Sequence, residues 1–138
     1  MATNIRPEIS KKNVYWIEKH RYYELKHFCL QYPVWKKAHA LLGFLNDRPL
    51  KEAHVQSSGM SDPTFKYAEA RLYYSQRMRM VEKVAERADP VIGKYVFKAV
   101  ISGSTYACMN ASENIPCGKD QYYEVYRRFF WLLDQERK

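Results

Sequence analysis

The chain has 138 residues, a net charge of +8 and a pI near 9.4, which reads as one domain able to bury roughly two-thirds of its unfolded surface and suited to an anionic partner. Hydrophobic residues make up 46% and aromatic residues 15%, with 12 Tyr, which excludes intrinsic disorder beyond the first dozen residues. Cys29, Cys108 and Cys117 are odd in number and lack the paired spacing of a disulfide framework or zinc ribbon, so three free thiols in a reducing cytoplasm are expected. No apolar run suits a signal peptide or approaches the roughly 18 residues of a membrane span, so no membrane partner is expected.

Residues 1–12, with Pro7, Lys11 and Lys12, read as a loose basic arm, either a frayed terminus or a segment reaching a minor groove. A helical stripe of Val14, Tyr22, Leu25, Phe28, Cys29 and Tyr32 occupies 13–32, with Asn13 as its cap. On another face His20, Glu24 and His27 stand at i, i+4 and i+7. That spacing suits a metal ion, but no matching fourth ligand presents itself, so helix-stabilising pairs on a wet face are the better reading. Pro33 suits the first turn of a second helix, with an apolar stripe of Trp35, Ala38, Leu41, Leu42 and Leu45. Residues 1–46 therefore read as a basic helical hairpin and 47–61 as a linker.

Ser61-Asp62-Pro63 opens a third helix expected to run to about Ala88, burying Phe65, Ala68, Leu72, Val81, Val84 and Ala85. Asp89-Pro90 repeats the cap-and-proline signal for a fourth helix, 91–101, that buries Ile92, Tyr95, Val96, Ala99 and Val100. Ser102-Gly103-Ser104 ends it and supplies a cap for the next helix. From Thr105 the pattern is a short helix, a turn at Ile115-Pro-Cys-Gly118 and a longer helix from Lys119 to Leu133. Pro116 disfavours helical geometry at Ile115, and Gly118 leaves the last helix without a strong side-chain cap. Tyr122, Val125, Tyr126, Phe129, Leu132 and Leu133 form its inward stripe, whereas Lys119, Asp120, Tyr123, Glu124, Arg127 and Arg128 face outward. No strand-like alternation appears, so the class is all-α, a multi-helix single domain whose residues 62–138 form a helical core with a helix-turn-helix at 105–133.

Nothing in the chain supports an enzyme or a cofactor. The five glycines are scattered, so no phosphate-cradling loop exists, and there is no Gly-x-Ser-x-Gly elbow. Cys117, near a helix start, is either a thiolate of lowered pKa or a packing residue, and the turn context favours packing.

The run Ile115-Pro-Cys-Gly-Lys-Asp-Gln-Tyr-Tyr-Glu-Val-Tyr-Arg-Arg-Phe-Phe-Trp-Leu-Leu133 resembles the C-terminal segment of phage late-transcription regulators of the RinA-like and ArpU-like type. Ser61-Asp62-Pro63-Thr64, followed by Ala68 and Ala70, is similar to the opening of the middle helix in RinA-like proteins. Together these cover roughly residues 61–133. The resemblance implies a helix-turn-helix related to region four of bacterial sigma factors, acting on double-stranded DNA in the cytoplasm of a bacterial host. Gly118 departs from the family's hydroxyl cap, and Asp120 and Glu124 add negative charge to a surface that would approach DNA.

On helix geometry Lys119, Asp120, Gln121 and Tyr123 would lie nearest base edges, while Arg127, Arg128 and the N-terminal Lys11, Lys12 and Lys19 would contact phosphates. The charge is unevenly placed for this. Residues 1–40 hold 8 basic and 3 acidic side chains, residues 114–138 only 5 and 4. The alternative is a protein-binding module on the same fold, gripping RNA polymerase or another host protein such as a defence nuclease, in the manner of an anti-CRISPR inhibitor. The oligomeric state stays open, since no heptad seam is long enough to specify a dimer.

Overall fold

The computed structural model describes residues 13–46 and 63–138. They form six helices and, among the described residues, no strand: α1 (Lys19–Leu30), α2 (Tyr32–Asn46), α3 (Pro63–Ala88), α4 (Gly93–Ser102), α5 (Tyr106–Glu113) and α6 (Lys119–Glu136). The protein is all-α. The basic arm with Lys11 and Lys12, the linker 47–61 and the expected caps Ser61 and Asp62 lie outside the described residues. The chain divides into two compact units, Met1–Gln31 with Met80–Lys138, and Tyr32–Arg79.

The first unit is built around α6, which packs on both α1 and α4; α4 also packs on α1 and α5. The reason lies in its sequence. Tyr122, Val125, Phe129 and Leu133 form one stripe, Tyr123, Tyr126 and Phe130 a second beside it, and together they make an apolar arc wide enough for two neighbours. Phe129, Phe130, Leu133, Leu25, Val81, Val84 and Val96 are fully buried, and side chains of this size contribute about 1.5–3 kcal/mol each when taken out of water. Tyr22 of α1 meets Phe130 edge-on at 5.1 Å, and its hydroxyl lies 2.7 Å from that of Tyr126.

The second stripe overturns one expectation: Tyr123 does not face outward but is buried, at 8% exposure, with Tyr126 at 5.4 Å and Tyr122 at 5.2 Å between ring centres. The 3.6-residue period suggests a single stripe, and two lie side by side. Arg127, on the edge of this arc, is half-buried instead of exposed.

Local chemistry sets most helix ends. Glu18 caps α1, accepting from the amides of His20 and Arg21, and these bonds hold its carboxyl below the usual range. Asn13 does not start that helix: its side chain accepts from the Tyr15 amide in a turn, and Val14 stands 76% exposed. Asp89 accepts from the amides of Val91 and Ile92 at 2.8 and 2.7 Å, fixing the entry to α4, which begins at Gly93. Gly103, in the left-handed region at φ 77, closes α4, and Thr105, rather than the serines before it, caps α5 through the Cys108 amide. Asn114, also left-handed at φ 55, ends α5 ahead of Ile115.

The second unit consists of α2 and the first part of α3. Tyr32 and Trp35 are buried with their rings 6.3 Å apart, and Gly43 lies against the Arg71 guanidinium. Leu41, Phe65 and Leu72, expected inside, are 59%, 59% and 56% exposed. Among the described residues this unit holds only these two helical segments, so their apolar stripes are only partly covered.

Where α4 crosses the end of α3, a Cβ on Gly93 would sit 2.1 Å from the backbone oxygen of Ala85, whereas one on Gly118 would meet nothing within 4 Å. Gly93→Ala is therefore expected to cost at least about 3 kcal/mol in urea unfolding, because a backbone oxygen cannot turn aside as a side chain can. Gly118→Ala should change stability by less than about 1 kcal/mol.

Candidate functional site

The feature singled out by sequence, α5, the connection 114–118 and α6, is held together from within. Tyr106 of α5 donates its hydroxyl to the Cys117 carbonyl at 2.9 Å, and its ring lies 5.0 Å from that of Tyr122, tilted by 55°. Asn110 accepts from the Ile115 amide at 3.0 Å, and Ile115 is buried. These contacts fix the connection, so the start of α6 is presented in one orientation.

Gly118 is the N-cap of α6 in extended geometry (φ −78, ψ 173) and provides no side-chain bond to the first amides. Those amides carry the positive end of the helix dipole and face solvent. Lys119, Asp120, Gln121, Glu124 and Arg128 are exposed there; Asp120, Gln121, Glu124 and Arg128 fall on one narrow arc at spacings of i, i+1, i+4 and i+8. Of the nine residues expected in a DNA interface, the structure brings together Lys119, Asp120, Gln121 and Arg128. Tyr123 is in the core, Arg127 is half-buried with its Nε unpartnered, and Lys19 is exposed at the first position of α1.

Beside this arc runs an open cleft of about 320 Å³ lined by Asp120, Gln121, Glu124, Val125 and Arg128 of α6, with Tyr15, Ala88 and Asp89 opposite. Three carboxylates face one guanidinium. Sequence reasoning misses Tyr15 and Asp89 as parts of the site; it recognises Asp89 only as a helix cap, and nothing in its spacing reveals what it faces. Trp131, 5.9 Å from Tyr15 between ring centres, continues the same arc half-buried.

The electrostatics of this unit are nearly balanced, with 12 basic and 10 acidic side chains among its described residues. Several cations are already engaged. Arg21 bonds Asp134 at 2.7 Å and Glu24 at 2.9 Å, which raises its pKa further; Arg87 pairs with Glu136 and Lys98 with Glu113. The described part of the other unit, by contrast, carries six basic side chains and one acidic, Glu69.

Burial pushes the Cys117 thiol up, with Asp89 adding to the shift, opposite to the lowered pKa that a helix start favours. Cys29 is pushed up more strongly, also by burial. Among the described residues no group of three His, Cys, Asp or Glu side chains could hold a metal ion; Glu24, which shares a helix face with His20 and His27, pairs with Arg21. No helix of the described residues is long and apolar enough to cross a membrane. No protein-family model matches the chain, and no curated protein or solved structure shows significant similarity to it.

The tyrosine cluster behind the arc gives two stability predictions. Tyr122 is 1% exposed and its hydroxyl has no partner among the described residues. Tyr122→Phe should therefore leave stability unchanged or raise it by about 1 kcal/mol in urea unfolding. Burial raises the pKa of both Tyr122 and Tyr126 from the ordinary 10.0. The folded state thus holds these phenols neutral: the stability is full below about pH 10 and declines above it, as the unfolded tyrosines ionise first. The Tyr122→Phe, Tyr126→Phe double variant should lose less stability than the native chain between about pH 9 and 11.

Proposed function

We propose that this chain is a DNA-binding transcription regulator in which α5, the connection 114–118 and α6 act as a helix-turn-helix, with α4 as the third helix of the motif and α6 entering the major groove. The observation that carries the reading is the start of α6. Its first turn projects beyond the packed core, with uncapped amides and the polar side chains Lys119, Asp120 and Gln121 exposed to solvent. A recognition helix is held in this way, its body packed and its N-terminal residues free to reach base edges. The resemblance of residues 115–133 to phage late-transcription regulators supports the same assignment, as does the net charge of +8.

In this reading Gln121 pairs with adenine, Lys119 with guanine, and Asp120 accepts from a cytosine amino group. Arg128 and Lys19, with Lys11 and Lys12, neutralise phosphates, and the amides of the first turn of α6 receive another phosphate. Tyr123 and the half-buried Arg127 play supporting roles behind the contact surface.

A second reading has its own observation. The cleft along α6 sets Asp89, Asp120 and Glu124 against Arg128 alone, and carboxylates repel phosphate while accepting arginine or lysine from a protein. On this reading α6 grips RNA polymerase or another host protein.

Selection from a random duplex library, followed by titration at two salt concentrations, separates the two. Gln121→Ala is expected to cost about 1–3 kcal/mol at the selected sequence and little on random duplex, whereas Arg128→Ala should weaken all sequences alike and lower the salt slope by about one. No salt-sensitive affinity for any duplex, together with one stoichiometric protein partner that Glu124→Lys releases, would replace the DNA reading by the second.

A further inference from the structure

A cavity of about 70 Å³ lies in the first unit, where α1, the turn between α4 and α5, and α6 meet. It shares no lining residue with the cleft beside the arc of α6, so what it binds does not depend on the DNA reading. One water takes roughly 10–15 Å³ of such space, which leaves room for about five waters or for one ligand of about six non-hydrogen atoms. A void left empty between helices is apolar on every side, and this one is not.

The inner wall and the rim differ in chemistry. Ala99, Val100 and Phe130, with the rings of Tyr22 and Tyr123, are buried. Lys26, Ser104 and Tyr126 are half-buried and Thr105 is exposed, so the polar side of the lining is the side that solvent reaches. Lys26 forms no ion pair among the described residues, and its ammonium stands 6.0 Å from the Tyr23 ring centre, at the outer limit of a cation–π contact. The Thr105 hydroxyl accepts from the Cys108 amide at 3.2 Å and keeps its own hydrogen to donate. Burial holds the Tyr126 phenol neutral, so it too offers a hydroxyl and no negative charge. Among the described residues no carboxylate lines the cavity.

We propose that this cavity binds a small monocarboxylate, its carboxylate at the rim among Lys26, Ser104, Thr105 and Tyr126 and its short apolar stem on Ala99, Val100 and Phe130. Charge selects the class. A cation would meet Lys26 with no acidic side chain to offset it. A phosphate group, close to doubly charged at neutral pH, calls for more than one cation or for free amides. Here there is one cation, and the amides of Gly103 and Ser104 already donate to the Ala99 carbonyl at 2.7 and 3.1 Å. One ammonium among neutral hydroxyls matches one negative charge, and a neutral ligand of the same shape forfeits the charge-assisted bond.

The test is to follow the amide chemical shifts of the full chain during titration with sodium butyrate at constant ionic strength. Butyramide, butylammonium chloride and inorganic phosphate are the comparison probes. Butyrate should shift Lys26, Ser104 and Thr105 saturably with a Kd of about 1 mM or tighter, as a ligand of about six non-hydrogen atoms allows. Butyramide should bind at least tenfold more weakly. Lys26→Gln should weaken butyrate at least tenfold and leave butyramide unchanged, whereas Lys26→Glu should pass the preference to butylammonium. Lys26 reaches solvent on α1, so circular dichroism should remain native in both variants. Shifts that do not saturate with butyrate, equal binding of butyrate and butyramide, tighter binding of phosphate, or full butyrate affinity in Lys26→Gln each overturns the proposal.

Discussion

The first unit depends on one constraint: α6 must bury two adjacent apolar stripes at once. Tyr122, Val125, Phe129 and Leu133 on one side and Tyr123, Tyr126 and Phe130 on the other require two different partners, which α4 and α1 supply. Because the helix is gripped along most of its length, its orientation is set by the core. What remains exposed over its first turns is a narrow arc, Asp120, Gln121, Glu124 and Arg128, with Lys119 at its start. The aromatic content of the chain results from the same demand: flat rings fill the wide space between three helices, and the Tyr22 and Tyr126 hydroxyls satisfy each other at 2.7 Å.

That constraint also shapes how the site can act. A rigid helix start reads a groove or a pocket without an ordering cost, so modest contacts suffice for selectivity. Its charge is the opposing term. Asp89, Asp120 and Glu124 line the cleft beside it, and the described residues of this unit are nearly neutral, so on the DNA reading attraction to phosphate would come from elsewhere in the chain. The described residues of Tyr32–Arg79, by contrast, carry six basic side chains and one acidic.

Much of this is legible in the sequence where local chemistry decides. Asp89-Pro90, Pro63 and Gly118 announce helix starts because a side chain, a fixed φ or a missing cap acts within a few residues. The all-α class comes from periodicity alone. The errors fall where distant neighbours decide. Asn13 is as good a cap as Glu18 by residue type, and the chain uses it for a turn instead. Tyr123 reads as outward because periodicity shows one stripe, whereas α1 and α4 demand two. Leu41, Phe65 and Leu72 have the spacing of core residues, but burial depends on whether a second surface exists to meet them. The acidic cleft is invisible for the same reason, since Asp89 and Glu124 lie far apart in sequence.

On the DNA reading the exposed arc of α6 is the contact surface. Amide chemical-shift mapping of the full chain, titrated with a duplex selected from a random library, tests it most directly. The largest shifts are expected at Gly118–Gln121, Glu124 and Arg128, with the amides of Phe129, Phe130 and Leu133 little changed. Shifts confined to other helices, with the start of α6 unmoved at saturation, would contradict it.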